Sequence, residues 1–249
     1  MLRMMELATT GLVAEQRSLD VNANNMANLQ SLGFKAGRAD FRDLLYQTVN
    51  GAVVGNGVGM AATQTSFAQG ALQVTSVPTD LAIQGRGFFQ VQLPNGSTGY
   101  TRAGHFLPDA NGNLVNPRGY YLLGSAGKLT LPAGYTSVTV SAHGAITAKV
   151  NGTSQAVGQL SLADFVNPQG LQDAGGGIFL ATANSGTPQT GTPGQGELGV
   201  VRQRALEQSN VSMTQAMYRL ITEERAYQMD GMAVQVSGKV YTLANQVGS

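Results

Sequence analysis

Apolar residues recur every three or four positions at both ends of the chain, and in short runs broken by turns between them. Residues 1–28 carry Met5, Ala8, Leu12, Leu19 and Met26 in that rhythm. Residues 209–247 carry two stripes. One is Met229, Ala233, Val236, Val240, Leu243 and Val247; the other is Met213, Met217, Leu220, Tyr227, Val234 and Tyr241. Such spacing marks helices that bury a seam against another helix. Two seams at opposite ends predict that the termini pair. Two stripes on one helix predict that the pair also has neighbours outside the chain. The fold class expected is α+β: an all-β central region inserted between N- and C-terminal helices that pair as a coiled-coil-like stem.

The first helix should run from about residue 2 to Asn28, ending in an Asn-rich stretch and stopped by Gly33. Residues 38–48 suit a short helix or an extended segment. Residues 49–60, with Asn50-Gly51 and Asn56-Gly57, read as a glycine-rich flexible connector. From about 61 to 207 the runs are rich in Val, Thr, Tyr and Phe. Gly87–Leu93 should end at Pro94, turn at Asn95-Gly96 and return at Tyr100–Arg102, and Phe106–Val115 should form a hairpin around Asp109–Asn113. Strands are expected at Ser137–Val140, at Ala145–Val150 before an Asn151-Gly152 turn, and at Gln155–Phe165. Residues 184–197 read as a loop, and Val200–Glu207 as a returning strand. Ser209 or Asn210 is placed to cap the last helix. The divisions are then 1–34 for the N-terminal helical part, 35–60 for the connector, 61–207 for the β-rich domain and 208–249 for the C-terminal helix.

Composition narrows the function. Of 249 residues 12% are charged, about half the usual ~25% share. Net charge is +1, which gives no long-range pull toward nucleic acid or an anionic membrane. The absence of cysteine removes disulfides, thiolate metal sites and a cysteine nucleophile. No apolar run is long enough to span a membrane. Arg3, Glu6, Thr9 and Thr10 interrupt any signal-peptide core, so export would use a route that keeps the N-terminus.

Candidate chemistry is thin. Asp109, Asn111 and Asn113 alternate as in a calcium loop, but Leu114 stands where such a loop needs Gly and Tyr120 where it needs Glu. A hairpin turn fits better. Gly55-Asn56-Gly57-Val58-Gly59 lacks the Lys-Ser/Thr of a phosphate loop. His105 and His143 have no metal-ligand spacing. No paired carboxylates or nucleophile elbow appear, so no active site, metal or cofactor is expected. The Met1, Met4, Met5 start suits core packing or a surface facing non-equivalent neighbours.

Several segments, in order, resemble the flagellar rod and hook proteins. Ala23–Asn28 followed by Gly33, Phe34 and Lys35 is similar to that family's N-terminal signature. Phe41–Thr48 resembles the segment that follows it in the distal rod members. Asp80–Val91, with Gly85, Gly87, Phe88 and Phe89, resembles a family strand, and Tyr100, Thr101 and Arg102 open a family hairpin that runs on to Phe106. Glu207–Val211, with Ser209, Asn210 and Val211, and Glu224–Tyr227 resemble the C-terminal helix. About a dozen residues separate Thr48 from Ala61, fewer than in enteric-type distal rod proteins.

The resemblance implies a subunit of the basal-body rod, most like the distal rod; a proximal rod or hook subunit is the alternative. It implies helical self-assembly into a drive shaft and export channel, with terminal helices inside and the β domain outside. Partners implied are other copies, other rod proteins, hook subunits, P- and L-ring proteins and the flagellar type III export apparatus. Neither nucleic acid nor membrane insertion is implied. The subunit interface expected comprises Met5, Leu12, Leu19, Asn24, Asn25, Met26 and Asn28, with Met217, Leu220, Tyr227, Val236, Val240 and Leu243. The Asn22–Asn28 cluster has two readings: a frayed helix end whose side chains cap carbonyls and meet water, or, as the resemblance favours, a polar seam between subunits that fixes register. A secreted adhesin or carbohydrate-binding module draws support from the β domain alone.

Overall fold

The computed structural model describes residues 2–49 and 52–247, with the side chains of residues 5–46, 55–243 and 246. Met1, the Asn50-Gly51 turn and the side chains of Met4 and Val247 therefore lie outside the described residues. Two compact units are present. One takes residues 2–29, 36–66 and 211–247; the other takes 30–35 and 67–210.

The first unit pairs α1 (Leu2–Ala27) with α2 (Met213–Val247). The helices run antiparallel: Gly11 lies against Asp230, Ser18 bonds Glu223, and Asn22 bonds the Ala216 carbonyl. In this register Leu2 falls opposite Lys239, and the last two turns of α2 run past the start of α1. The chain leaves α1 through a turn in which Asn28 donates from its backbone and side chain to the Asn24 carbonyl. The cap of α2 is Ser212, not Ser209 or Asn210. Its carbonyl accepts from Ala216 N at 2.9 Å and its hydroxyl from Gln215 N at 3.5 Å. Asn210 is engaged elsewhere, donating to the Ala68 carbonyl at 2.9 Å.

Residues 37–65 add an antiparallel ribbon to this unit. Gly37–Asp43 pairs with Val58–Thr65 across a bulge at Asp40/Phe41. Gln47–Val49 pairs with Ala52–Val54. The 38–48 stretch is thus extended, and the stretch read as a flexible connector is largely strand.

In the second unit, Phe88–Gln92 is central to a sheet of ten strands among the described residues. It pairs with Thr98–Thr101 along one edge, and with Leu162–Asp164 and Tyr121–Gly124 along the other. Successive residues of a strand point to opposite faces. Phe89 and Val91 accordingly enter one core with Leu81, Ile83 and Phe106, while Phe88 enters a second with Tyr100, Phe165 and Phe179. A strand buried on both faces reads as consecutive apolar residues rather than an alternation. Tyr135–Val140, Ala145–Val150 and Thr153–Gln159 form a meander, turning at Asn151-Gly152 with φ of 49° and 83°. The returning segment is two strands. Arg204, at φ 55°, separates Val200–Gln203, paired with Leu81–Gln84, from Ala205–Glu207, paired with Leu72–Val74.

Candidate assembly surface and motif centre

Inside the helical unit, α1 meets its neighbours through small and polar residues. Gly11, Ser18 and Asn22 face α2; Thr10, Val21 and Asn25 face the ribbon. Asn25 acts as a substitute backbone, its amide donating to the Gly37 carbonyl at 2.7 Å and its oxygen accepting from Gly37 N at 2.8 Å. On α2 the residues toward α1 are Ala216, Glu223 and Asp230.

The large apolar side chains are left outward. Met229, Val236 and Leu243 are 61%, 59% and 60% exposed, and Met217, Tyr227, Val240 and Tyr241 are exposed as well. Leu220 is half-buried. On α1, Met5, Leu12, Leu19, Met26 and Asn28 are half-buried, Asn24 is exposed and Asn25 is buried. The ribbon presents Leu45 at 89% and Tyr46 at 63% exposure. Between α1 and the ribbon runs a groove of about 250 Å³ lined by Thr9, Val13, Ala14, Arg17, Val58 and Met60.

The other unit explains the motifs. Lys35, Arg102 and Glu207, from three separate segments, form a buried ion triad. Lys35 Nζ stands 2.5 Å from Glu207 Oε1 and donates to the Ala68 carbonyl at 2.8 Å. Arg102 donates to Glu207 Oε2 at 3.3 Å. Gly70 N also donates to Glu207 Oε1, at 2.9 Å. The side chains of Lys35 and Glu207 are 0% exposed. The Arg102 guanidinium lies 5.3 Å over the Phe88 ring, and its Nε has no hydrogen-bond partner among the described residues. Burial holds Lys35 and Arg102 below their usual ranges, against the opposing pull of Glu207. Asp164 also acts on Arg102, and itself pairs at 3.0 Å with Arg86, which reaches Glu197 at 2.7 Å.

The remaining motif residues frame this centre. Gly33 has φ 66°, and its N donates to the Glu207 carbonyl at 2.7 Å. A Cβ on Gly33 would collide with the backbone of Arg102 and Ala103. The Phe34 carbonyl accepts from Asn210 N at 3.4 Å, Thr101 bonds the Gly177 carbonyl, and Tyr100 stacks edge-on against Phe165. Gly85 and Gly87 take φ of 114° and 116° beside Arg86. Ser209 and Val211 follow Glu207 into α2.

The chemical candidates have local roles. Asp109 accepts from the N–H groups of Asn111 and Asn113 and from the Asn113 amide, which lowers its pKa and makes it a turn anchor. His105 Nδ1 lies 2.7 Å from Asp80, and His143 Nδ1 lies 3.2 Å from the Pro193 carbonyl.

Comparison with known proteins follows the same segments. Residues 82–148 match the flagellar hook protein FlgE/F/G D1 domain, and residues 202–246 match the flagellar basal body rod FlgEFG protein C-terminal family. The flagellar basal-body rod protein FlgG of Borreliella burgdorferi is 38% identical, covering 99% of both chains. The FlgG of Caulobacter vibrioides is 36% identical over 98% of this chain and 99% of its own. This chain belongs to the FlgG family of flagellar basal-body rod proteins. A hook protein, FlgE of Helicobacter mustelae, is 43% identical over only half of this chain and 31% of its own length. End-to-end matching thus places the chain with FlgG rather than with the hook. The Borreliella alignment runs over 265 residues, against 249 here, so that FlgG carries residues this chain lacks. Of the triad, Arg102 falls in the first matched region and Glu207 in the second, while Lys35 lies outside both. The joint role of Lys35 and Glu207 had no local signal, because they stand 172 positions apart.

Proposed function

We propose that the chain is a structural subunit of the distal rod that polymerises through its helical stem. The observation that carries this is the exposed apolar side chains of α2, Met217 and Tyr227 on one stripe and Met229, Val236, Val240 and Leu243 on the other. Large apolar side chains left exposed on two stripes along one element mark interaction surfaces. Copies docking head to tail through unlike surfaces, without closing a ring, build an open helical tube. Leu45 and Tyr46 on the ribbon, together with the groove beside α1, supply unlike surfaces of this kind. The tube carries torque from motor to hook and conducts export cargo. Its role is structural, not enzymatic. Other rod proteins and hook subunits continue the axis, P- and L-ring proteins surround it, and the flagellar type III apparatus delivers the chain. Asn24 and the outer parts of Met5, Leu12, Leu19, Met26 and Asn28 belong to the same interface, whereas Asn25 is taken up by Gly37 within the chain.

Electron microscopy of concentrated protein, beside a motility assay of Leu243→Asp cells, tests this. Tubes from the wild type and immotile mutant cells are expected. Normal motility of the Leu243→Asp strain would remove this face from the assembly.

A further inference from the structure

The seam between α1 and α2 repeats itself every seven residues. On α2, Ala216, Glu223, Asp230 and Ser237 follow one another at that spacing, and all are buried or half-buried. On α1, Gly11 and Ser18 are also seven apart, and they meet Asp230 and Glu223. Ser18 Oγ donates to Glu223 at 2.7 Å. A slip of one heptad would set Ser18 against Asp230, another carboxylate that can accept from its hydroxyl, and Gly11 against the small Ser237. Asn22 does not forbid the slip. Its amide donates to a backbone carbonyl, that of Ala216 at 2.9 Å, and the Glu223 carbonyl would come to stand there instead. Its longer bond to the Glu223 side chain, at 3.4 Å, would pass to Asp230. The seam by itself therefore fits α1 in more than one register.

Another part of the chain does count residues. In the β-rich unit, Gly33 N donates to the Glu207 carbonyl at 2.7 Å, Lys35 Nζ stands 2.5 Å from the Glu207 carboxylate, and the Phe34 carbonyl accepts from Asn210 N at 3.4 Å. Residues 28–32 join the last residue of α1, Ala27, to this clasp, and residues 208–212 join it to the first of α2, Met213. The two links are equally long. Counted from the Gly33–Glu207 bond, the seam contacts fall at matched distances along the two arms. Asn22 lies eleven residues back and Ala216 nine on; Ser18 and Glu223 lie fifteen and sixteen away; Gly11 and Asp230 lie twenty-two and twenty-three away. A slip of one heptad would unbalance every pair by roughly 10 Å of helix, which the two links would have to absorb. We propose that the Gly33–Glu207 clasp is the register mark of the stem: holding the two arms together at one fixed count, it selects which residues of α1 meet which of α2. Lys35 is a positioning residue of this mark, its ion pair with Glu207 closed to water. The inference stands apart from polymerisation, because every step of it lies within one chain.

The chain has no cysteine, so pairs of introduced cysteines report the register. The full chain, as a dilute monomer, carries Ser18→Cys with one of Ala216→Cys, Glu223→Cys or Asp230→Cys. A short bismaleimide traps each pairing irreversibly, and intrachain products are identified by peptide mass. With the arms unaltered, linking should occur with Glu223→Cys. Seven alanines inserted between Met213 and Thr214 lengthen one arm by about two helical turns and leave the clasp and the seam residues as they are. The link from Ser18→Cys should then shift by seven residues, to Ala216→Cys. A link that stays at Glu223→Cys overturns the proposal, since the seam would have chosen the register. Lys35→Met loosens the clasp while Arg102 still balances Glu207. It should let the slipped link, to Asp230→Cys, rise to rival the native one. An unchanged pattern in that variant overturns the proposal too; should the variant misfold, the insertion decides alone.

Discussion

Glu207 is one carboxylate answering two cations and a backbone N–H in a site closed to water. Removing one partner of a buried pair leaves uncompensated charge, which costs about 3–5 kcal/mol. Glu207→Ala, stranding both Lys35 and Arg102, should destabilise the β-rich unit by at least that range, measured by denaturant unfolding. Unchanged stability would mean that water reaches the triad. Gly33 gives a second residue-scale prediction. Its positive φ, with the Arg102–Ala103 backbone against it, leaves no room for a side chain. Gly33→Ala should cost about 1–3 kcal/mol through backbone strain, read in the same assay. The sequence displayed these residues as motif letters, and the resemblance ordered them, but nothing local showed that Lys35, Arg102 and Glu207 touch. Charge pairing across 172 positions leaves no periodic trace.

At the scale of elements, apolar spacing revealed both helices but not which side of each faces inward. The intrachain seam uses Gly11, Ser18, Asn22 and Ala216, which a search for apolar stripes passes over. The stripe of Met229, Val236, Val240 and Leu243 is exposed instead, so a charge there should leave the subunit's own contacts intact. Val236→Asp should abolish sedimentable assemblies while the β-rich unit keeps its unfolding midpoint. Lys239→Glu, an exposed change already polar, should do much less. The ribbon misled composition in the other direction. Glycines at 55, 57 and 59 suggested a hinge, yet Val58–Thr65 is a paired strand. Gly57 takes φ 95°, and its carbonyl accepts from Leu44 N at 2.9 Å. Proline fixes φ near −65°. Gly57→Pro should therefore loosen the ribbon within the free subunit, seen as faster hydrogen exchange at the amides of residues 58–65. Exchange equal to wild type would return this stretch to the role of a passive link.

For the whole molecule, the two units differ in what they bury. The β-rich unit encloses two apolar cores, with Phe88, Phe89, Phe106 and Phe165 at 1% exposure or less. The helical unit buries few large side chains and leaves its apolar stripe to solvent. Isolated helices are marginal in water, so most helical stability must come from packing. In dilute monomer the terminal helices should then be cut early by protease while residues 67–210 survive, with protection of the ends appearing only on assembly. Full protection of both ends in a demonstrated monomer would contradict this. The same contrast sets how the chain can be shortened. A fragment of residues 30–210 keeps Lys35, Arg102 and Glu207 together and should unfold cooperatively. A fragment of residues 67–210 loses Lys35 and Gly33, leaving Glu207 to Arg102 and Gly70 N alone. Its stability should fall by about 3–5 kcal/mol relative to the longer fragment. Equal stability of the two would show that the segment leaving α1 merely rests on the β-rich unit, whereas the geometry has Lys35 completing its charge centre.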